Sequence, residues 1–231
     1  MIIPGATNPL FRKVIGCTMA GPSYLSLAEQ ARESFEGVTG LACRLVKTRH
    51  DQNYRDKFDL HNHFSDDETV VYFDADTRWV RPFNPLLVTS DFGMVLDPGR
   101  NSEKDFPIHD CRHLEMPWQV YGNSVVMIFG HRHRHVWTEC HRMFGREKVL
   151  DFGEQSIINL ALHRLGVERC FLGNEWNYAP ICEVNGRTQE MTREPYVIHA
   201  MGYTHARTRK RLTDKEAVLN IYEGRYMLTS P

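Results

Sequence analysis

Asp74 and Asp76 are the residues whose type and spacing most clearly suggest chemistry. They follow the apolar run 69–73, which lacks polar alternation and so predicts a strand covered on both faces. Ligand sites of open α/β sheets lie beyond the carboxyl ends of the strands. Two carboxylates there repel one another unless a cation such as Mg²⁺ or Mn²⁺, held partly by a diphosphate, neutralises them. The pair therefore predicts a metal and diphosphate site, although aspartates that only cap a turn have the same spacing.

Histidines and cysteines are the other candidate metal ligands. His131, His133 and His135 alternate with arginines, which would repel a cation, so we expect a solvated loop or strand edge there. The six cysteines are scattered without a C-x-x-C pair, which argues against a zinc site or a redox loop. We interpret them as reduced, mostly buried thiols.

The elements that must position the aspartates begin in strand, helix, strand order. For the first helix we expect Ser23 as the cap, apolar positions from Leu25 to Phe35, and Gly37 as the stop. A second helix is predicted over 53–64 and a third over 154–165, closed by Gly166. Strands are predicted over 13–18, 41–46, 69–73, 92–96, 123–129 and 197–200. This order is typical of an α/β fold with a parallel sheet.

Length and composition limit the class of protein. A chain of 231 residues with 42% hydrophobic content can build one sizeable core, so we expect a single domain over 1–231. Lysine and arginine number 28 against 29 acidic residues, which argues against nucleic acid as a partner. No apolar stretch reaches the roughly 18 residues of a transmembrane segment. We therefore expect a cytoplasmic protein; the basic stretch 207–211 is an exposed face or, as the alternative, a peripheral contact with a membrane surface or an anionic acceptor.

Residues 70–80, VVYFDADTRWV, followed by Asn84-Pro85-Leu86, resemble the D-x-D region of GT-A fold glycosyltransferases. The resemblance is strongest to family 8, the glycogenin and galactosyltransferase-like enzymes. It implies an α/β fold of GT-A type, with a central, mostly parallel sheet flanked by helices and an N-terminal nucleotide-binding half. It also implies transfer of a sugar from a nucleotide-sugar donor, a UDP-sugar first of all, to an acceptor hydroxyl with retention of configuration. The acceptor, whether glycan, lipid-linked or protein, stays open.

The resemblance implies a metal site. Asp74-Ala75-Asp76 would hold Mn²⁺, with Mg²⁺ as the alternative, against the donor diphosphate. Residues 198–202, IHAMG, resemble the family's H-x-x-G, so His199 would be the third metal ligand and Gly202 would lie beside the donor. An imidazole ligand favours Mn²⁺ over Mg²⁺. The family continues with a lysine, and here His205 and Arg207 are the candidate replacements.

The remaining similar motifs imply donor-binding and catalytic residues. The first strand and turn are similar to the family's nucleotide-binding loop, and an ordinary strand-to-helix turn is the alternative. Glu154-Gln155 resembles the family's helix start D-Q, whose side chains face the reacting sugar; Glu154 could equally complement the helix dipole. Lys57, with Arg55 as the other candidate, matches an arginine of the family. The implied donor-binding residues are Thr18, Met19, Ala20, Tyr24, Lys57, Asn123 and Ser124, and the implied catalytic residues are Glu154 and Gln155.

Two other function classes fit parts of the pattern. A haloacid dehalogenase-type phosphohydrolase also has an aspartate pair after an apolar strand. Its motif has threonine or valine two residues after the second aspartate, where this chain has Arg78. A nucleotide-sugar-binding protein of the same fold without turnover is the other alternative.

Overall fold

A six-stranded sheet lies at the centre of the computed structural model, which describes residues 13–51, 54–85, 88, 91–97, 116–144, 153–178, 183–184, 187–188 and 194–199. The strands of this sheet are β1 (Lys13–Ala20), β2 (Cys43–Lys47), β3 (Glu68–Phe73), β5 (Phe92–Leu96), β6 (Gly122–Gly130) and β7 (Arg169–Leu172). The strand order is β2-β1-β3-β6-β5-β7. β6 runs antiparallel to both of its neighbours, and the other five strands are parallel to one another. The predicted α/β class with a mostly parallel sheet is confirmed.

Two small antiparallel ribbons accompany the sheet. β4 (Thr77–Trp79) pairs with β10 (Val197–His199), and this pairing places His199 opposite Thr77. β8 (Glu183–Val184) pairs with β9 (Arg187–Thr188). The first ribbon matters for the site because it ties the late strand to the segment that directly follows Asp76.

The two faces of the sheet are covered by different elements. α1 (Leu25–Thr39) and the β4–β10 ribbon cover one face, where Phe35, Phe73 and Trp79 form an aromatic cluster. The other face carries α2 (Tyr54–Phe58), α3 (Arg134–Met143) and α4 (Glu154–Arg164). Every residue of β3 is buried, as the unalternated apolar run predicts. Because side chains alternate along a strand, Tyr72 points to the α2 and α4 face while Phe73 points to the α1 face.

The register between β5 and β6 changes in the middle of the pair. Met94 pairs with Met127, but the next residue, Val95, pairs with Asn123. The extra residues of β6 continue alongside β3 instead, where Phe73 pairs with Val126. Bulges of this kind re-aim side chains, and here the start of β6 reaches both the end of β3 and the end of β5.

Several predicted element boundaries are wrong. Ser23 does not cap α1: it lies in a 3₁₀ turn, Pro22–Tyr24, and its backbone N–H donates to Asp51 Oδ1 at 3.0 Å. Gly37 lies inside α1, which ends at Thr39 and is capped by Gly40 with a left-handed φ of 70°. The expected helix over 53–64 is shorter, because a second, 3₁₀ segment, Leu60–His63, follows α2.

The alternating histidines form neither a solvated loop nor a strand edge. His131–His133 is a 3₁₀ turn that leads into α3, and His135 belongs to that helix. His133 is 3% exposed, and its Nδ1 accepts the N–H of Gly130 at 3.1 Å. The two-residue spacing of the histidines therefore does not form a strand face: His133 is buried where β6 ends, while His131 and His135 are exposed.

The C-terminal part of the predicted site, Gly202, His205 and Arg207, lies outside the described residues, as do Ala200 and the basic stretch 207–211. None of the helices in the described segments combines the length and apolar character that crossing a bilayer requires.

Candidate active site

Asp74 and Asp76 lie at the edge of the sheet where β3 ends. The backbone N–H of Asp74 still donates to Val125 of β6 at 3.0 Å, so the chain leaves the sheet only after this residue. The two aspartate side chains are 28% and 29% exposed. Both carboxylates are therefore anchored by the strand and still accessible to a ligand.

Two donors hold one oxygen of Asp74. Tyr72 donates its hydroxyl to Oδ1 at 2.6 Å, and the Lys57 ammonium lies 3.0 Å from the same atom. Burial raises the pKa of Asp74, Lys57 opposes this rise, and repulsion from Asp76 adds to it. A second negative charge is thus unfavourable here, which is the condition that a bound cation would relieve.

Lys57 is a buried cation with three oxygen neighbours. Besides Asp74, its Nζ lies 3.3 Å from Glu154 Oε1 and 3.5 Å from Ser124 Oγ, and it stands over the Tyr72 ring. Burial alone would lower the pKa of Lys57, but the two carboxylates raise it above its ordinary value, so the side chain stays charged. An ammonium has three N–H donors, and these three oxygens match them.

Asp76 faces His199 across the β4–β10 ribbon. The imidazole Nε2 lies 3.3 Å from Asp76 Oδ2, and the histidine is 4% exposed. Burial opposes ionisation of Asp76, but His199 holds the pKa of this carboxyl below its ordinary value. The ribbon therefore places the late histidine His199 beside the second aspartate of the D-x-D motif.

A second set of polar side chains lies where β5, β6 and α4 meet. Gln155 accepts the N–H of Ser124 at 3.0 Å and donates to Asp97 Oδ2 at 2.9 Å. Asn123 donates to the same Asp97 oxygen at 3.1 Å. Ser124 Oγ also lies 3.4 Å from Glu154 Oε1, which connects this set to Lys57 and Asp74.

Asn177 connects the two halves of the site. Its side-chain amide donates to Asn123 Oδ1 at 3.1 Å, and its oxygen lies 2.9 Å from His199 Nδ1. The hydrogen-bonded chain thus runs without interruption from Lys57 and Asp74 to His199 and Asp76. We name this set the edge network; its members are Lys57, Tyr72, Asp74, Asp76, Asp97, Asn123, Ser124, Glu154, Gln155, Asn177 and His199.

Solved structures of glycosyltransferases resemble this architecture. The chain superimposes on the galactosyltransferase LgtC in complex with donor and acceptor sugar analogues with a TM-score of 0.62, at 15% identity, over 94% of this chain and 97% of that one. An active-site mutant of LgtC gives a TM-score of 0.61 at 14% identity, with the same coverage of both chains. The chain has a GT-A type fold.

Other comparisons define how far this likeness extends. The GT-A chain also matches the apo structure of the bifunctional glycosyltransferase WbbM with a TM-score of 0.63 and 16% identity, over 95% of its own length. It spans only about half, 53%, of that larger enzyme. No protein-family model matches the sequence, and no curated protein sequence is a significant match to it. At these identities the structural likeness establishes the fold.

The remaining predicted donor-binding residues of the GT-A chain lie at the end of β1. Thr18 and Ala20 are buried, while Met19 and Tyr24 are half-buried. Thr18 Oγ1 is buried without a hydrogen-bond partner among the described residues. β1 pairs with β3, so the residues at its end share the sheet edge with Asp74, and Met19 packs against the core cluster that contains Tyr72.

Three members of the edge network were not predicted as site residues. Asp97 follows the apolar run 92–96 just as Asp74 follows 69–73, so the same strand-end argument could have identified it. In the sequence Tyr72 is an ordinary residue of an apolar strand, and only the structure places its hydroxyl beside Asp74. Asn177 has no signal in the sequence, because its partners come from β6 and β10, far away in the chain.

Asp74, Asp76 and His199 are the side chains that could coordinate a divalent cation. No group of three histidine, cysteine or acidic side chains in the described segments is already arranged around a metal position. Asp76 and His199 are nonetheless adjacent, and Asp74 is engaged by Tyr72 and Lys57 through Oδ1. Two carboxylates and an imidazole suit Mn²⁺ and accept Mg²⁺ less well. The chemistry of these three side chains therefore fits such an ion, and Asp76 and His199 already lie side by side.

Proposed function

We propose that this protein is a glycosyltransferase that moves a sugar from a nucleotide-sugar donor, a UDP-sugar first of all, to an acceptor hydroxyl. One observation carries the proposal: the edge network joins the D-x-D aspartates, a late histidine and the first residues of α4 at one edge of a GT-A sheet. The fold is shared with LgtC, whose structure holds donor and acceptor sugar analogues. Transfer with retention of configuration is the stereochemical outcome that the family 8 resemblance favours.

Asp74, Asp76 and His199 are the residues that would hold Mn²⁺, or Mg²⁺ as the alternative. When bound there, the ion would supply charge stabilisation to the diphosphate leaving group. Backbone and side chains at Thr18, Met19, Ala20 and Tyr24 would hold the base and ribose, at the end of the neighbouring strand. Gly202, with His205 or Arg207, is proposed beside the diphosphate.

Lys57 acts on the donor through its neighbours. Asp74, Ser124 and Glu154 already occupy its three N–H donors, so no further proton is available for a sugar hydroxyl. Lys57 therefore orients two carboxylates and a hydroxyl rather than contacting the donor directly. This refines the role that the resemblance implied for this position.

Glu154 and Gln155 are the residues we propose to face the reacting sugar. Lys57 and Ser124 contact one carboxylate oxygen of Glu154. Both ends of the Gln155 amide are held, the oxygen by Ser124 N–H and the nitrogen by Asp97. Such held polar groups need little reorganisation when charge develops at the anomeric carbon. Asn123 and Ser124 complete the sugar-facing side.

The proposal is tested by incubating the purified chain with UDP-, GDP- and CDP-sugars, with and without Mn²⁺, and measuring nucleoside diphosphate release. We expect one nucleotide to react, in the presence of Mn²⁺. Asp76→Asn should lower the rate about 100-fold or more, because a metal contributes several kcal/mol to a transition state of this kind. Asp66→Asn is the matched control, since Asp66 pairs with His131 and Arg134 before β3 begins, away from Asp74.

Two results would contradict the proposal. Phosphate release from simple phosphomonoesters without any response to nucleotide-sugars would favour the haloacid dehalogenase-type reaction. Metal-dependent nucleotide binding without turnover, over a broad panel of acceptors, would favour the binding protein of the same fold.

A further inference from the structure

Two buried asparagines connect the sheet to His199. Asn123 and Asn177 are 4% and 2% exposed. A side-chain amide can be turned end for end, so its hydrogen bonds must decide which end is the oxygen. Here the partners of the two amides include groups that can only donate or only accept. These partners determine the donor and the acceptor in each hydrogen bond between Asp97 and His199.

The orientation of Asn123 follows from a backbone group. The N–H of Val125 can only donate, and it lies 3.0 Å from one end of the Asn123 amide, which must therefore be Oδ1. The opposite end, Nδ2, then donates to the Asp97 carboxylate at 3.1 Å. Because Asn123 Oδ1 also faces Asn177 at 3.1 Å, the atom that Asn177 presents to it must be the donor Nδ2.

The orientation of Asn177 then determines where His199 carries its proton. With Nδ2 directed to Asn123, the oxygen of Asn177 faces His199 Nδ1 at 2.9 Å. A carbonyl oxygen can only accept, so Nδ1 must hold a proton. The nitrogen left to coordinate a cation is Nε2, which lies 3.3 Å from Asp76 Oδ2. A metal binds the ring nitrogen that carries no proton.

The backbone keeps Asn177 and His199 in register. Tyr178 donates its N–H to Val197 at 3.0 Å and accepts the N–H of His199 at 2.7 Å. Tyr178 also forms a parallel bridge with Ile198. The backbone pairing therefore holds the Asn177 amide and the His199 imidazole next to each other.

We propose that Asn177 is a positioning residue that holds His199 with a proton on Nδ1 and so directs Nε2 to the cation beside Asp76. The inference rests on the proposed function, because it assumes that this site binds a divalent ion. Asn123 and Asp97 determine which end of the Asn177 amide faces His199. Partners of this kind typically contribute 10- to 100-fold to metal affinity.

The test measures the affinity of the full chain for Mn²⁺ alone, by the loss of the electron paramagnetic resonance signal of free Mn²⁺. Asn177→Leu removes the acceptor at similar volume, and we expect the affinity to fall about 10- to 100-fold. Asn177→Asp keeps an oxygen opposite Nδ1, so its affinity should stay within about threefold of the wild type by the same reasoning. Thermal unfolding without metal verifies that each variant is folded. If Asn177→Leu does not fold, Asn123→Ala, which frees the Asn177 amide to turn, replaces it.

Asn174→Ala is the matched control, because this exposed asparagine lies in the turn just before Asn177 and should leave the affinity unchanged. His199→Ala is the benchmark for loss of a ligand. If His199→Ala weakens Mn²⁺ binding but folded Asn177→Leu or Asn123→Ala does not, the inference is wrong while the metal site stands. Equal losses in Asn177→Leu and Asn177→Asp would also overturn it, since they would indicate a packing role. No Mn²⁺ binding by the wild type would overturn both the inference and the metal dependence of the proposed function.

Discussion

Lys57 occupies a position where the family that the motif resembles has an arginine, and the two side chains differ in the number of hydrogen bonds they can donate. The arginine has five N–H donors in a planar fork. The lysine ammonium has three, and Asp74, Ser124 and Glu154 match them. A guanidinium would have donors left over for a ligand, whereas this ammonium has none. Under the proposed function, Lys57 therefore acts on the donor sugar through the oxygens that it orients.

Tyr72→Phe tests the anchoring of the first aspartate. The change removes the hydroxyl that donates to Asp74 at 2.6 Å and keeps the ring beneath Lys57. We expect the free energy of unfolding to fall by about 1.5–3 kcal/mol, the range for a hydrogen bond to a charged group. Mn²⁺-dependent nucleotide binding should weaken as well, because Asp74 loses one of its two anchors. Urea unfolding and a binding titration measure the two effects.

Tyr121→Phe is the matched control for this prediction. Tyr121 is also fully buried, and its hydroxyl shares a 2.7 Å hydrogen bond with Ser156, a neutral partner. The stability loss should be smaller, about 0.5–1.5 kcal/mol, and nucleotide binding should not change. Equal effects of the two variants on binding would contradict an anchoring role for Tyr72.

Site residues were predictable from the sequence only where a local pattern reports on them. Asp74 follows an apolar strand, and Glu154 and Gln155 resemble the family's helix start, so a local motif marks each of them as a candidate. Asn177 does not, because its role depends on β6 and β10 lying beside it in space. Long-range pairing of this kind leaves no periodicity in one sequence.

Among the elements, α1 packs closely on the sheet at Gly16 of β1. A Cβ added to Gly16 of β1 would lie 2.5 Å from the ring of Phe35, and that ring stacks on Phe73 and meets Trp79 edge to face. The absence of a side chain at Gly16 therefore sets how deeply the helix packs. The residues just before Asp74 share this packing.

Paired glycine substitutions test the packing of α1. Gly16→Ala should lower the free energy of unfolding by about 1–3 kcal/mol, because the aromatic cluster must move to admit the methyl group. Gly37 lies in α1 itself, and no atom lies within 4 Å of a Cβ added there. Gly37→Ala should therefore raise the free energy of unfolding by about 0.5–1 kcal/mol. Chemical denaturation of both variants gives the comparison. A neutral Gly16→Ala would show that the cluster yields easily.

Strands were easier to predict than helix ends. Apolar runs identified the strands of the main sheet other than β7, most clearly β3, whose burial on both faces leaves a continuous signal. The first helix passes through Gly37, where the sequence suggested a stop, since packing of its apolar face outweighs the roughly 1 kcal/mol cost of an exposed glycine. The 131–135 histidines were misinterpreted because a two-residue alternation describes spacing but not the turn that begins α3.

At the scale of the whole molecule, a bound ligand should stabilise the chain. Under the proposed function, Mn²⁺ and UDP together at 100 times their dissociation constant would add about 2.7 kcal/mol to the free energy of unfolding. For a chain of 231 residues this corresponds to a rise of about 5–10 °C in the unfolding midpoint. Differential scanning fluorimetry measures the shift, which should need both components. An equal shift with UDP alone in wild-type and His199→Ala protein would contradict a metal-linked site.

The reversed direction of β6 determines where the connection before it lies. Its opening residues, Asn123 and Ser124, share an edge with the closing residues of β1, β3 and β5, so the connection between Asp97 and Gly122 begins and ends at the edge of the sheet that carries the edge network. Lengthening or shortening that connection would leave the strand register behind it unchanged.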